Sequence, residues 1–161
     1  MMRIGVLSDT HGFLPQQVYS FFEQCDELWH AGDIGQGVLD ALEDFKPVRA
    51  VWGNIDDASL HHCLPQTDVF EREGRRVMLT HIGGRPGRYA PGVTERLRLV
   101  KPDIFVCGHS HILRVGYDKD MRLLHINPGA AGRQGIHRVC TLVRFVLDPD
   151  PSQLEVLDFQ R

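Results

Sequence analysis

Arg3-Ile4-Gly5-Val6-Leu7-Ser8-Asp9-Thr10-His11-Gly12 sets an apolar run against an abrupt polar break. Arg3 to Ser8 reads as a buried strand, since a short continuous apolar run bounded by turn residues fits a strand covered on both faces. The break carries a carboxylate and an imidazole two residues apart. In an extended segment those side chains point the same way. Four later runs end alike, in His30-Ala31-Gly32-Asp33, Val51-Trp52-Gly53-Asn54, Met78-Leu79-Thr80-His81 and Cys107-Gly108-His109-Ser110-His111. In α/β sheets, ligands bind where loops leave the carboxyl ends of strands. Five such ends would bring Asp, Asp, Asn, His and His to one edge and build a single cluster. Gly32, Gly53 and Gly108 precede candidate ligands, where a missing side chain lets the backbone turn close to an ion.

The segments between these strand ends alternate in character. Pro15 to Gln24 has helical spacing, with Val18, Phe21 and Phe22 on one side and Pro15 suited to a first turn. Glu27 to Ala31 reads as a second strand, Val38 to Phe45 as a short helix and Val48 to Trp52 as a third strand. Val69 to Glu71 and Arg75 to Thr80 form a hairpin turning at Glu73-Gly74. A loop rich in Gly, Pro and Arg runs from Ile82 to Gly92. Val93 to Val100 is helical and Asp103 to Cys107 is a buried strand. The rest reads as hairpins, Ile112 to Tyr117 with Arg122 to Ile126, then Val139 to Leu147 with Leu154 to Phe159. Early βαβ units followed by hairpins predict a mixed α/β fold with two sheets. With 161 residues and no repeat, linker or low-complexity tract, one domain spanning 1–161 is expected.

Composition narrows the function classes. The hydrophobic fraction of 42% and charged fraction of 24% are those of an ordinary soluble globular protein. A formal net charge of -3 gives no sign of a dedicated nucleic-acid surface or a polybasic membrane anchor. The opening residues are too short for a signal-peptide core, and no stretch approaches a membrane span. Cys25, Cys63, Cys107 and Cys140 are scattered without CxxC spacing, and Cys107 and Cys140 lie in apolar runs where a thiol packs as a small hydrophobe. A reduced, cytoplasmic compartment is expected. The unusual number is nine histidines, four of them beside apolar runs and glycines.

A carboxylate has two oxygens and can bridge two cations, which a neutral imidazole cannot do. Asp33 is the candidate bridge, and Asp33, Asn54 and His81 are the catalytic candidates. Carboxylate and imidazole ligands without thiolates suit manganese first, with nickel, iron, zinc and cobalt as alternatives, rather than calcium or a structural cysteine-type zinc site. Two such ions, roughly 3.5–4 Å apart, would activate a shared water and clamp a phosphoryl group. Taken singly, D-x-H, Gly-Asp, Gly-Asn and a lone His81 are more often ordinary turns and core residues. Their joint occurrence at five strand ends outweighs that reading. His30, within a strand, His125, on a hairpin strand, and His137, near an exposed turn, read as structural. His61-His62 fall in a loop that overhangs the site or is simply solvated. Arg85 and Arg88, just beyond His81, contact phosphate or are solvated charges.

The order LSDTHG, GD, GN, TH, GHSH resembles the calcineurin-like metallophosphoesterase superfamily. Within it, the sequence is similar to the small bacterial and archaeal phosphodiesterase branch, which also includes the scaffold subunit of retromer. The resemblance covers nearly the whole chain, including INPGA at Ile126 to Ala130. It implies a four-layer α/β/β/α sandwich of two mixed sheets flanked by helices. It also implies two divalent metal ions, one held by Asp9, His11, Asp33 and His111 and the other by Asp33, Asn54, His81 and His109. Asn127 then belongs to the conformation of the NPG turn. Many superfamily members carry a histidine directly after the GN asparagine to assist the leaving group; Ile55 stands there in this chain. The Asp-Arg-Gly signature of serine/threonine protein phosphatases is also missing. The implied activity is hydrolysis of phosphodiester bonds in a small or nucleotide substrate, in solution, with self-association left open. The alternative is a protein-binding scaffold with a vestigial metal site. A DNA-processing nuclease would want a capping domain or basic groove.

Overall fold

The computed structural model describes residues 1–161. Strand β1 (Met2–Leu7) has its last four residues fully covered. The helix expected over Pro15–Gln24 is shorter, with α1 spanning Gln17–Phe21. Its C-terminal end gives way to the return of the chain: Phe22 turns into the core, and Asp26 donates its N–H to Arg3 O while accepting from Arg3 N. Those bonds start β2 (Glu27–His30) parallel to β1. Helix α2 (Val38–Phe45) forms where its apolar spacing places it. Strand β3 (Val48–Ala50) stops two residues before the expected end, because Trp52 N leaves the sheet to donate to Pro65 O.

The segment read as a loop bearing His61 and His62 is a helix, α3 (Ala58–Cys63). Asp57 caps it by accepting from the N–H groups of Ser59 and Leu60, a local signal visible in the sequence. Strands β4 (Thr67–Arg72) and β5 (Arg75–Thr80) form the expected hairpin. The Gly/Pro/Arg loop holds a small ribbon, β6 (Gly84–Arg85) with β7 (Arg88–Tyr89), around the turn pair Pro86-Gly87. Then follow α4 (Val93–Val100), β8 (Ile104–Val106), β9 (Leu113–Asp118), β10 (Leu123–Pro128), β11 (Val139–Asp148) and β12 (Asp150–Gln160).

The strands form two five-stranded sheets, ordered β12-β11-β1-β2-β3 and β4-β5-β8-β10-β9. Both are mixed: β1, β2 and β3 run parallel in the first, as do β5, β8 and β10 in the second, and hairpins form every edge but the one at β3. Ile4, Val6, Trp29 and Phe145 of the first sheet meet Phe70, Val77, Ile104 and Ile126 of the second in an apolar layer between them. Val18, Phe22, Val38 and Leu42 cover the outer face of the first sheet, and Val93 and Leu97 that of the second. The result is the four-layer α/β/β/α arrangement. Each fully buried Val, Ile, Leu or Phe contributes about 1.5–3 kcal/mol relative to exposure. The shared layer therefore fixes the sheets against each other, with the carboxyl ends of β1, β2, β3, β5 and β8 at one edge. No helix is long and apolar enough to cross a membrane.

Candidate metal centre

All seven predicted ligands meet at that edge, in two clusters. Asp9, His11 and His111 form one, and Asp33, His81 and His109 the other, the ligand atoms of each lying within 4.8 Å of one another. Asn54 joins the second, its Oδ1 lying 3.0 Å from His109 Nδ1. Asp9 is fully buried (0% exposed), and its Oδ1 lies 3.2 Å from His111 Nε2 and 3.8 Å from His11 Nε2. Asp33 Oδ2 lies between the clusters, 3.2 Å from His81 Nε2 and 3.5 Å from His11 Nε2. That is the position a bridging carboxylate needs.

The backbone differs from the expected one. Asp9 and His11 do not sit in an extended segment; both adopt left-handed conformations, with φ of 56° and 48°. Asp33, His109 and His111 do likewise, at 54°, 70° and 63°. Such conformations are sparsely populated by non-glycine residues and persist only where surrounding contacts over-determine them. The loops supply those contacts by zipping together: Asp9 N donates to Gly32 O, His11 N to Asp33 O and Gly12 N to Ile34 O. The glycines also act differently from the expectation. They make room for ligand side chains rather than for an ion: a Cβ on Gly53 would overlap the Asp33 carboxylate, and one on Gly108 would overlap Ser8 and press on Asp9 Oδ2.

Three of the candidate ligands, His81, Asp9 and Asp33, are aimed by partners on their far sides. His81 Nδ1 donates to Ala31 O at 2.7 Å, which fixes its tautomer and turns the Nε2 lone pair toward the cluster. Asp9 Oδ2 accepts from Ser8 Oγ and His109 N, and Asp33 Oδ1 from Ile55 N, so Asp9 Oδ1 and Asp33 Oδ2 remain to face the imidazoles. Asp9 Oδ1, His11 Nε2 and His81 Nε2 are buried without a hydrogen-bond partner. Such atoms are costly unless something satisfies them. Burial pushes the Asp9 carboxyl up, but the facing imidazoles of His11, His111 and His81 outweigh it and hold it well below the usual carboxylate range. Asp9 in turn raises His11, and Asp33 raises His81 against the opposing effect of burial. The cluster attracts positive charge, and its oxygen and nitrogen donors fit divalent cations better than protons confined to single imidazoles.

Three residues outside the predicted set complete the site. His30, read as structural, is fully buried and ties two ligand loops together: its Nδ1 accepts from Gly32 N, its Nε2 meets Thr10 Oγ1, and that hydroxyl donates to Ile34 O. Asp56, to which the sequence reading assigns no role, accepts from the N–H groups of Ile34, Gly35 and Gly53. His137 packs edge-on to His111, with ring centroids 5.1 Å apart, while its Nε2 meets Gly132 O. A histidine within an apolar strand must find partners on burial, and that was the available signal for His30. Asn127 is a conformational residue, as expected: it donates to Gly108 O and Ser110 Oγ and accepts from Gly129 N. His61 stacks on Trp52, with ring centroids 3.9 Å apart, instead of overhanging the clusters from a loop.

Replacing His30 gives a direct check on this tie. His30→Leu leaves the Gly32 N–H unpaired and is expected to lower stability by about 1–3 kcal/mol and metal affinity by about 10–100-fold, read by denaturant unfolding and metal titration. Burial also pushes the His30 imidazole down to about 4 from 6.5. Between those values the unfolded chain binds a proton that the folded chain does not, so stability falls as pH drops through the window, by about 1.4 kcal/mol per unit. His30→Leu removes that part of the acid limb in the metal-free protein.

Residues 2–148 match the family model described as the calcineurin-like phosphoesterase superfamily domain. A protein of Methanocaldococcus jannaschii named as a probable metallophosphoesterase is 32% identical over 139 residues, which cover 80% of this chain and 68% of that protein. Among solved structures, an archaeal phosphodiesterase superposes with a TM-score of 0.79 at 20% identity, covering 98% of this chain and 100% of that one. The zinc complex of Vps29 from Entamoeba histolytica gives 0.70 at 19% identity, covering 98% and 99%. At these identities the two structures speak for the fold alone.

Proposed function

The chain belongs to the calcineurin-like phosphoesterase superfamily, and from that premise we propose that it hydrolyses phosphodiester bonds of a small or nucleotide substrate. Asp9, His11, Asp33 and His111 would hold one divalent ion, and Asp33, Asn54, His81 and His109 the other. Manganese is the first candidate. Such ions, when bound, lower the pKa of water and neutralise phosphoryl charge. The observation that carries the reading is Asp33 Oδ2, placed between His81 and His11 while Oδ1 is anchored by Ile55 N.

The protein's own groups do the positioning. Ala31 O orients His81, Ser8 and His109 N orient Asp9, and Asn54 sits beside His109 at the open side of the clusters. Ile55 is 47% exposed and offers no proton to a departing alkoxide. The buried thiols of Cys25, Cys107 and Cys140 suit the reducing cytoplasm to which we assign the protein. A scaffold with a retired centre would be expected to have lost ligands, whereas the full set is retained here.

The test is a matrix of manganese, nickel, zinc, cobalt and magnesium against bis- and mono-nitrophenyl phosphate. Two ions per chain at saturation are expected, with diester turnover exceeding monoester turnover by about tenfold or more, a barrier difference of roughly 1.4 kcal/mol. Without a donor at Ile55, the rate should also fall steeply as leaving-group pKa rises. Monoesterase activity dominant with every metal would overturn the diester assignment, and metal binding without turnover of either ester would favour the scaffold.

A further inference from the structure

Beside the loop that carries His109 and His111 lies a cavity of about 350 Å³ whose wall contains three arginines, Arg85, Arg88 and Arg114, and no carboxylate. Its floor follows from strand register. Arg114 on β9 pairs with Asn127 on β10, and Gly116 with His125, so Arg114, Asn127 and His125 share one face. The missing side chain at Gly116 leaves open space opposite the imidazole. One wall is the β6–β7 ribbon, tied to the floor because Gly84 O meets both His125 Nε2 and Cys107 Sγ. The other wall is Ser110, between His109 and His111.

Arg85, Arg88 and Arg114, like most arginines of the chain, have no acidic partner; what sets them apart is that all three line one cavity. Arg85 and Arg88 stand directly opposite each other on the ribbon, a like-charge pairing that is unfavourable unless an anion lies between. His125 is fully buried (0% exposed), and its Nδ1 has no partner, leaving a desolvated polar atom in the floor. The cleft beside Asn54 has the opposite character, being lined by Asp40, Asp56, Asp57 and Ile55. An anionic arm of a substrate is therefore directed toward the arginines and away from the aspartates.

We propose that this cavity is an anion subsite that takes a second phosphoryl group of the substrate while the scissile diester lies at the metal centre. The inference rests on the phosphodiesterase reading and names its substrate class: phosphodiesters bearing an additional phosphate. Guanidinium groups bind phosphate through paired, charge-assisted N–H donors.

Two measurements test it. The first uses zinc-loaded full-length protein and follows arginine Nε–Hε resonances during titration with thymidine 3′,5′-bisphosphate. Arg85, Arg88 and Arg114 should shift saturably, and Arg88→Gln/Arg114→Gln should weaken binding at least about tenfold. The second compares kcat/KM on thymidine 5′-(p-nitrophenyl phosphate) and its 3′-phosphorylated counterpart, which share a leaving group. The 3′-phosphate should raise kcat/KM by about tenfold or more, and that ratio should collapse toward one in the double variant. These arginines are exposed and unpaired, so their truncation breaks no ion pair or side-chain hydrogen bond. A wild-type ratio near one, or a ratio kept in the double variant, overturns the subsite while leaving the diesterase reading intact. If neither ester is cleaved, the diesterase reading falls, and the resonances still decide: absent or variant-insensitive shifts overturn the subsite.

Discussion

Asp33→Asn is expected to reduce the metal content from two ions per chain to one at most, and to lower kcat on an aryl phosphodiester by at least about 10³-fold, roughly 4 kcal/mol of barrier. The argument is one of donors and acceptors. Oδ1 of Asp33 accepts from Ile55 N at 3.0 Å, and Oδ2 faces His81 Nε2 and His11 Nε2. An asparagine keeps the shape, but its single oxygen must stay with Ile55 N. The amide NH2 then points at the two imidazoles, placing a donor where a cation has to sit and removing a charge that both clusters share. Elemental analysis and activity are measured together, with unfolding of the metal-free protein as the control for the fold. Two ions retained, with activity within tenfold of wild type, would end the bridging role of Asp33.

The convergence of the candidate ligands on one edge was legible in the sequence because each follows an apolar run, and the natural place for a polar residue on a buried parallel strand is its end. The same logic located β1, β2, β5 and β8, and spacing alone located α2 and α4. Elements defined by tertiary closure were not legible. Helix α1 stops early because Asp26 must reach Arg3, and β3 stops early because Trp52 is claimed by Pro65. Neither partner is adjacent in sequence.

The ligand loops show the same limit more sharply. D-x-H reads as extended, with convergence attributed to a period of two. The side chains do converge, but through left-handed residues whose strain is held by bonds between loops about twenty residues apart, such as His11 N to Asp33 O. A pattern in one segment cannot reveal a conformation imposed by another. For the same reason Asp56 escaped assignment and His30 was read as structural without its task being visible: each acts by fixing the loops that carry the candidate ligands. By contrast, α3 carried a readable signal in the Asp57 cap.

Asp56→Ala is expected to destabilise the metal-free protein by about 3 kcal/mol or more, the largest stability effect of a single polar substitution anticipated in this chain. Asp56 is buried, and its two oxygens accept from three backbone donors: Oδ2 from Ile34 N and Gly53 N, and Oδ1 from Gly35 N. Alanine strands all three, and an unsatisfied buried donor costs about 1–3 kcal/mol. Asp56→Asn is the graded control. Its remaining oxygen can serve Ile34 and Gly53, but its NH2 meets the Gly35 N–H donor to donor, so an intermediate loss of about 1–2 kcal/mol is expected. The same bonds join the loop bearing Asp33 to the loop bearing Asn54, one ligand from each of two strands. Loosening that joint should weaken metal binding by about 10–100-fold, in the same order, wild type above Asn above Ala. Denaturant unfolding without metal and isothermal titration with manganese read the two effects separately. Asp56→Ala with stability within about 1 kcal/mol of wild type would show that solvent replaces the carboxylate. Unchanged metal affinity in a destabilised variant would show instead that the Asn54 loop is held against Asp33 without Asp56, by the Ile55 N to Asp33 Oδ1 bond.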